Sequence, residues 1–143
     1  MMDSQFDSDP GLKVLIVDDN AVTRRGLGLL LMLEPEIGQV HEAASGGQAE
    51  ALVRDGQFDI VMIDLRMPGL APVEAIRHIK TSAPAVRVVA MSMVADSKEA
   101  ALAGGADLFI EKVDLLSGIR RVLPSDARGL GSEAGCGEDV SLA

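Results

Sequence analysis

A chain of 143 residues, 48% of them hydrophobic, is long enough for one domain with a full core. Its formal net charge of −9 argues against the basic face that direct nucleic-acid binding requires, and three phenylalanines without Trp or Tyr leave little to stack a base. Cys136 is the sole cysteine, which excludes an internal disulfide framework, and the longest apolar run, Leu27 to Leu33, is far short of the roughly 20 residues that span a bilayer.

In chain order, residues 1–11 carry three acids, no base and no apolar periodicity, and read as a disordered N-terminal segment without a signal peptide. "LKVLIV" (12–17), "FDIVMI" (58–63) and "VRVVAM" (86–91) are short runs rich in Val and Ile, as buried parallel strands require. "QVHEAA" (39–44) reads as an edge strand and "DLFIE" (107–111) as a fifth. Helical spacing fills 20–34, 46–55, 72–82, 96–103 and 114–123, so the expectation is a doubly wound α/β sheet with helices on both faces. Residues 124–143 hold four glycines, four acids and Arg128, and read as a flexible tail beyond a folded unit of 12–123.

Ligands in such a sheet bind at the carboxyl ends of the strands. Strand one ends in Asp18-Asp19, strand three in Asp64 and strand four in Ser92, and Lys112 follows strand five. Crowded carboxylates repel and call for a cation, and hard oxygen ligands suit Mg²⁺. Lys112 offers a point charge and Ser92 a hydrogen bond to phosphoryl oxygens, so the cluster reads as a place where a phosphoryl group arrives on Asp64. Alternative readings remain at each point: Asp18-Asp19 as helix caps, Ser92 as a loop hydroxyl, Phe109 as plain core. His41 and His78 read as surface histidines. "SGG" (45–47) reads as a turn before a helix, because it lacks the Lys-Ser/Thr of a phosphate loop.

Taken together, "LIVDDN" (15–20), "MIDLRMPG" (62–69), "AMSM" (90–93) and "FIEK" (109–112) resemble the receiver domain of two-component response regulators, over about residues 12–123. The resemblance implies a flavodoxin-like fold with strand order 2-1-3-4-5. It also implies that Asp64 accepts a phosphoryl group from a sensor histidine kinase or phosphotransfer protein. Asp18, Asp19, Asp64 and the backbone carbonyl of Arg66 would hold Mg²⁺. Lys112 and Ser92 would contact the phosphoryl group, and Phe109 would be the switching aromatic on the face from the fourth loop and helix to the fifth helix. Such a protein is a cytoplasmic signalling module that catalyses at most its own phosphorylation and dephosphorylation.

Two positions depart from the family pattern: Val113 stands where proline commonly follows the lysine, and Ala71-Pro72 stands where Asp-Gly is usual. The phrases "DLRMPG", "MSM" and "EKVDLLSGIRRVL" resemble the group that usually carries a helix-turn-helix output domain. Two expectations follow: a stand-alone receiver, or the N-terminal part of a DNA-binding regulator. A receiver that binds partners constitutively is a third reading. A dehalogenase-like hydrolase is disfavoured, because "VDDNA" lacks the required Asp-x-Asp spacing. In the first helix, 100° spacing turns Val22, Gly26, Leu30 and Leu33 toward the sheet, leaving Arg24, Arg25, Gly28 and Met32 as an outer partner face for a homodimer.

Overall fold

The computed structural model describes residues 10–67 and 71–124. Five strands, β1 (Leu12–Val17), β2 (Ile37–Ala43), β3 (Ile60–Asp64), β4 (Arg87–Ser92) and β5 (Leu108–Glu111), form one all-parallel sheet in the order β2-β1-β3-β4-β5. The helices are α1 (Ala21–Met32), α2 (Gly46–Asp55), α3 (Pro72–Ser82), α4 (Lys98–Ala103) and α5 (Leu115–Gly118). The expected doubly wound, flavodoxin-like fold is therefore observed.

Alternation along the strands divides the core. Leu15, Val17, Val61, Ile63, Val88 and Ala90 pack against α2, α3 and α4 through Val53, Ile76, Ile79 and Ala101. Val14, Ile16, Ile60, Met62, Val89 and Met91 pack against α1, α5 and the turn after α5 through Leu27, Leu31, Leu115 and Ile119. Both faces of the central strands are covered, which is why these segments read as unbroken apolar runs rather than as alternating ones.

Local chemistry fixes the helix starts. Asn20 caps α1 by accepting the Thr23 N–H (2.9 Å). Ser45 caps α2 by accepting from Gln48 N (3.1 Å), and Gln48 Oε1 reaches back to the Ala44 N–H (2.7 Å). "SGG" is therefore the cap and first two residues of the helix itself rather than a turn before it. Pro72 occupies the first turn of α3, where its missing N–H is harmless. Of the motif "MIDLRMPG", Met67 is buried and Pro68 and Gly69 lie outside the described residues, as do 1–9 and 125–143 of the expected terminal segments.

Two helices differ from expectation. The fourth begins as a 3-10 turn, Ala95–Ser97, before α4. The fifth is broken into 3-10 turns, Lys112–Asp114 and Ile119–Val122, flanking the short α5. Gly118 sits at φ −118°, ψ 20°, outside helical geometry. Arg87 of β4 donates to the carbonyls of Val122 (2.9 Å) and Arg121 (3.2 Å), satisfying the end of this segment from the sheet. No helix among the described residues is long and apolar enough to cross a membrane.

Candidate functional site

Strand register assembles the site. β1 and β3 pair with Val17 opposite Ile63, so the next residues on each strand, Asp18 and Asp64, are neighbours at the sheet edge. β4 lies beside β3 with Met91 opposite Asp64, and Ser92 pairs with Glu111 of β5, one residue before Lys112. All five residues lie at or just past the carboxyl ends of their strands, as the sequence led one to expect; Lys112 contacts Asp18 and Asp64, and Asp19 lies beside these two acids.

Asp18 is fully buried and Asp64 is 4% exposed. Lys112 Nζ bridges them, donating to Asp18 Oδ2 (3.0 Å) and Asp64 Oδ2 (3.1 Å). The other oxygen of each is held by backbone two residues on: Asn20 N to Asp18 Oδ1 (2.9 Å) and Arg66 N to Asp64 Oδ1 (3.0 Å). Burial pulls the Lys112 ammonium down, but its hydrogen bonds to Asp18 and Asp64 and their charges outweigh this and leave its pKa raised above 10.5. The bridging lysine is therefore charged at neutral pH. Ser92 is fully buried at the end of β4, and its Oγ accepts from Val94 N (3.3 Å).

Asp19 is exposed, and its carboxylate has no hydrogen bond or ion pair among the described residues. One carboxylate oxygen from each of Asp18, Asp19 and Asp64 lies within 4.8 Å of the others. Three hard oxygens, two buried and one open to solvent, form a donor set compatible with a divalent cation that keeps several waters.

The structure corrects the expected partner face on α1. Gly28 is buried against the sheet: a Cβ there would meet Val40 Cγ1 at 3.4 Å and Ile16 Cδ1 at 3.7 Å. Arg24 is not free either, since its Nε donates to Glu42 Oε1 (2.8 Å) and its Nη1 to the Asp18 carbonyl (2.7 Å). Leu27 and Leu31 face the core, while Val22 and Leu33, expected inside, are 82% and 76% exposed. Apolar residues occur on every side of this helix, so periodicity alone could not choose its face. Arg25 and Met32 are exposed as expected.

Phe109 lies in the core with its ring buried among the α2–α4 cluster. His41 is exposed, against Gln39 Oε1 (3.0 Å) and edge-on to Phe58, and His78 is exposed, against Glu50 Oε2 (3.0 Å). Sequence reasoning missed the Arg24–Glu42 pair and its grip on Asp18, which joins residues 18 positions apart on different elements.

Residues 14–119 match the family model described as response regulator receiver domain. Response regulator protein VraR of Staphylococcus aureus is 32% identical over 120 residues, covering 82% of this chain and 57% of that protein, so the chain spans little more than half the length of such relatives. A LuxR-family two-component response regulator from Aurantimonas sp. superposes with a TM-score of 0.70 at 30% identity, covering 78% of this chain and 84% of that one. The response regulator domain of Thermotoga maritima CheB gives 0.69 at 28% identity, covering 78% and 96%.

Proposed function

The chain belongs to the response regulator receiver family of two-component systems, and from that premise we propose that Asp64 is its phosphoacceptor. The observation that carries this reading is the Lys112 ammonium bridging two buried carboxylates beside an open third. The donor is a phosphohistidine of a sensor kinase or phosphotransfer protein. A carboxylate oxygen of Asp64 forms a bond to phosphorus as the P–N bond breaks, and the electron pair leaves on the imidazole nitrogen. Lys112 moves its charge from Asp64 Oδ2 onto a phosphoryl oxygen, and the Ser92 hydroxyl turns from the Val94 N–H to another. Asp18, Asp19, Asp64 and the backbone carbonyl of Arg66 would hold Mg²⁺, which would supply charge neutralisation for the phosphoryl oxygens.

Ser92 is the lever of the response: its movement draws on the following loop, where Met93 and Val94 are exposed. The signal would reach a partner or output domain on the side from α4 to α5, where Leu102, Val113 and Leu116 are exposed, with the buried Phe109 as the core aromatic whose packing changes. Residues 12–123 form the receiver unit, and the module works in the cytoplasm. Incubating the protein with acetyl phosphate and Mg²⁺ should add one phosphoryl by intact mass, and Asp64→Asn should abolish the addition. A wild type that stays unmodified refutes the assignment and leaves constitutive partner binding.

The exposed row on α1 supports self-association. Val22, Gly26, Leu29 and Leu33 follow one line, with Met32 and Arg25 beside it. Antiparallel contact with a second copy sets Val22 against Leu33 and Gly26 against Leu29, so each large side chain meets a smaller one. A Cβ on Gly26 would touch nothing within 4 Å, which leaves room for the opposing leucine. The row offers roughly 500 Å² per copy, reaching the ~1,000 Å² of a weak specific dimer. Leu29→Glu should abolish dimers in sedimentation equilibrium; an unchanged profile rules this contact out.

A further inference from the structure

The Asp18–Asp19 peptide has more anchoring than a strand end needs. Asp18 N donates to the Ala43 carbonyl (3.1 Å), and both of its carboxylate oxygens are bound. Its carbonyl oxygen is also taken, by Arg24 Nη1 at 2.7 Å. Arg24 reaches it from the first turn of α1 with its side chain only 14% exposed, and its Nε is fixed by Glu42 of β2 at 2.8 Å. The guanidinium fork thus ties three elements at the residue where β1 becomes the site.

We infer that Arg24, steadied by Glu42, is a positioning residue that sets Asp19 for cation binding. The inference rests on the metal reading proposed above and deepens it. Asp19 has no partner of its own among the described residues, so its place is decided by the peptide plane it hangs from. That plane ends in the carbonyl Arg24 holds. A planar fork fixes direction as well as distance, which a single ammonium cannot do. Arg24 grips a carbonyl rather than a carboxylate, leaving every carboxylate oxygen of the cluster for its own partners. Glu42 matters in a second way. An uncompensated guanidinium so near would repel a divalent cation, and the Glu42 carboxylate offsets that charge while fixing the rotamer. Partners one step behind a metal ligand typically change affinity by about 10–100-fold when removed.

The test is Mg²⁺ titration by calorimetry of the unphosphorylated chain, with thermal melting in EDTA as the measure of folding. Arg24→Gln should weaken Mg²⁺ binding by about 10-fold or more, and Glu42→Ala should weaken it by a smaller factor in the same direction. In acetyl phosphate labelling, the half-saturating Mg²⁺ concentration of Arg24→Gln should rise while the rate at saturating Mg²⁺ returns to near the wild-type value. General damage to the fold would lower that plateau instead. If Arg24→Gln fails to fold, Glu42→Ala decides alone. Variants that bind Mg²⁺ within about 2-fold of wild type, or a plateau that does not recover, overturn the inference. Wild type that binds no Mg²⁺ overturns it by removing the metal reading itself, a result distinct from the other two.

Discussion

Replacing Lys112 by Met separates the observed role of the ammonium, counterion to the acids, from its proposed role as ligand to the phosphoryl group. Methionine keeps most of the stem volume and removes the charge. Asp18 and Asp64 are 0% and 4% exposed, so the variant keeps two buried carboxylates without their common cation. Removing one partner of a buried ion pair costs about 3–5 kcal/mol. Here the Asn20 and Arg66 N–H groups still hold one oxygen of each acid, and Lys112 is itself 16% exposed, which lowers the expected loss to about 2–3 kcal/mol. That corresponds to a fall of roughly 10 °C in Tm for a domain of this size, measured by circular dichroism in EDTA. The sign reverses for metal: without the ammonium competing for the same oxygens, Mg²⁺ should bind more tightly to the variant and restore more stability to it than to wild type. Phosphoryl transfer should nevertheless fall, because the positive charge on the third side is gone. The Lys112 pKa is raised on folding, so its contribution is fully present below about 10.5 and fades as pH rises through the higher folded value. On the alkaline side, the stability gap between wild type and variant should therefore narrow only above about 10.5. An apo variant that melts within about 2 °C of wild type, or binds Mg²⁺ less well, would refute this account of the charge balance.

Arg120 joins Glu34 and Glu36 to the segment after α5, and the hydrogen bond from Arg120 leads in holding the Glu36 carboxyl below 4.5. The guanidinium is 42% exposed, so solvent screening limits the loss in Arg120→Ala to about 1 kcal/mol at neutral pH. Because the Glu36 pKa is depressed on folding, that difference should vanish as pH falls below 4.5 through the folded value, which melts at pH 7 and pH 3 will show. Ile76→Ala empties a fully buried position between α3 and the sheet and should lower urea stability by about 2–5 kcal/mol, whereas Leu116→Ala, 78% exposed, should change it by less than about 0.5 kcal/mol. Gly38→Ala places a Cβ 1.7 Å from the Pro10 carbonyl oxygen, so the strand ends must separate and stability should drop by about 1–3 kcal/mol; an unchanged urea midpoint would show that the Pro10 backbone yields freely.

The strands and the site were readable because one physical fact governs both. Parallel strands covered on two faces must be apolar throughout, so the polar residues that end them, Asp18, Asp64 and Ser92, stand out in the sequence. Register then does the rest, since in-line pairing of β1 with β3 brings the two acids together without any further instruction. The α1 face was not readable for the opposite reason: Val22, Leu27, Leu29, Leu31 and Leu33 are all apolar, and only packing shows which are covered. Spacing of 100° puts Gly28 on the outer face, where its small size would admit a partner helix; the close approach is real, but it is to Ile16 and Val40 of this same chain. The end of the segment after Gly118 is satisfied by Arg87 reaching across from β4, to residues 34 and 35 positions away, which no local pattern records.

Charge explains why the site has this particular complement. Three carboxylates against one ammonium leave two negative charges, which one divalent cation cancels. Arg24 adds nothing to that balance, because Glu42 neutralises it within 2.8 Å. Phosphorylation of Asp64 converts a single negative charge into two, so the proposed product state carries one more negative charge than the metal and Lys112 neutralise. A hydroxyl is the group that can meet this excess without a charge of its own, and Ser92 stands fully buried at the adjacent strand end. A second lysine there would overcompensate the resting acids and compete with the metal; an apolar residue would leave the added oxygen unbonded. In that proposed state the added charge would act on the Ser92 hydroxyl, a neutral donor, and through it on the loop that follows, where Met93 and Val94 are exposed.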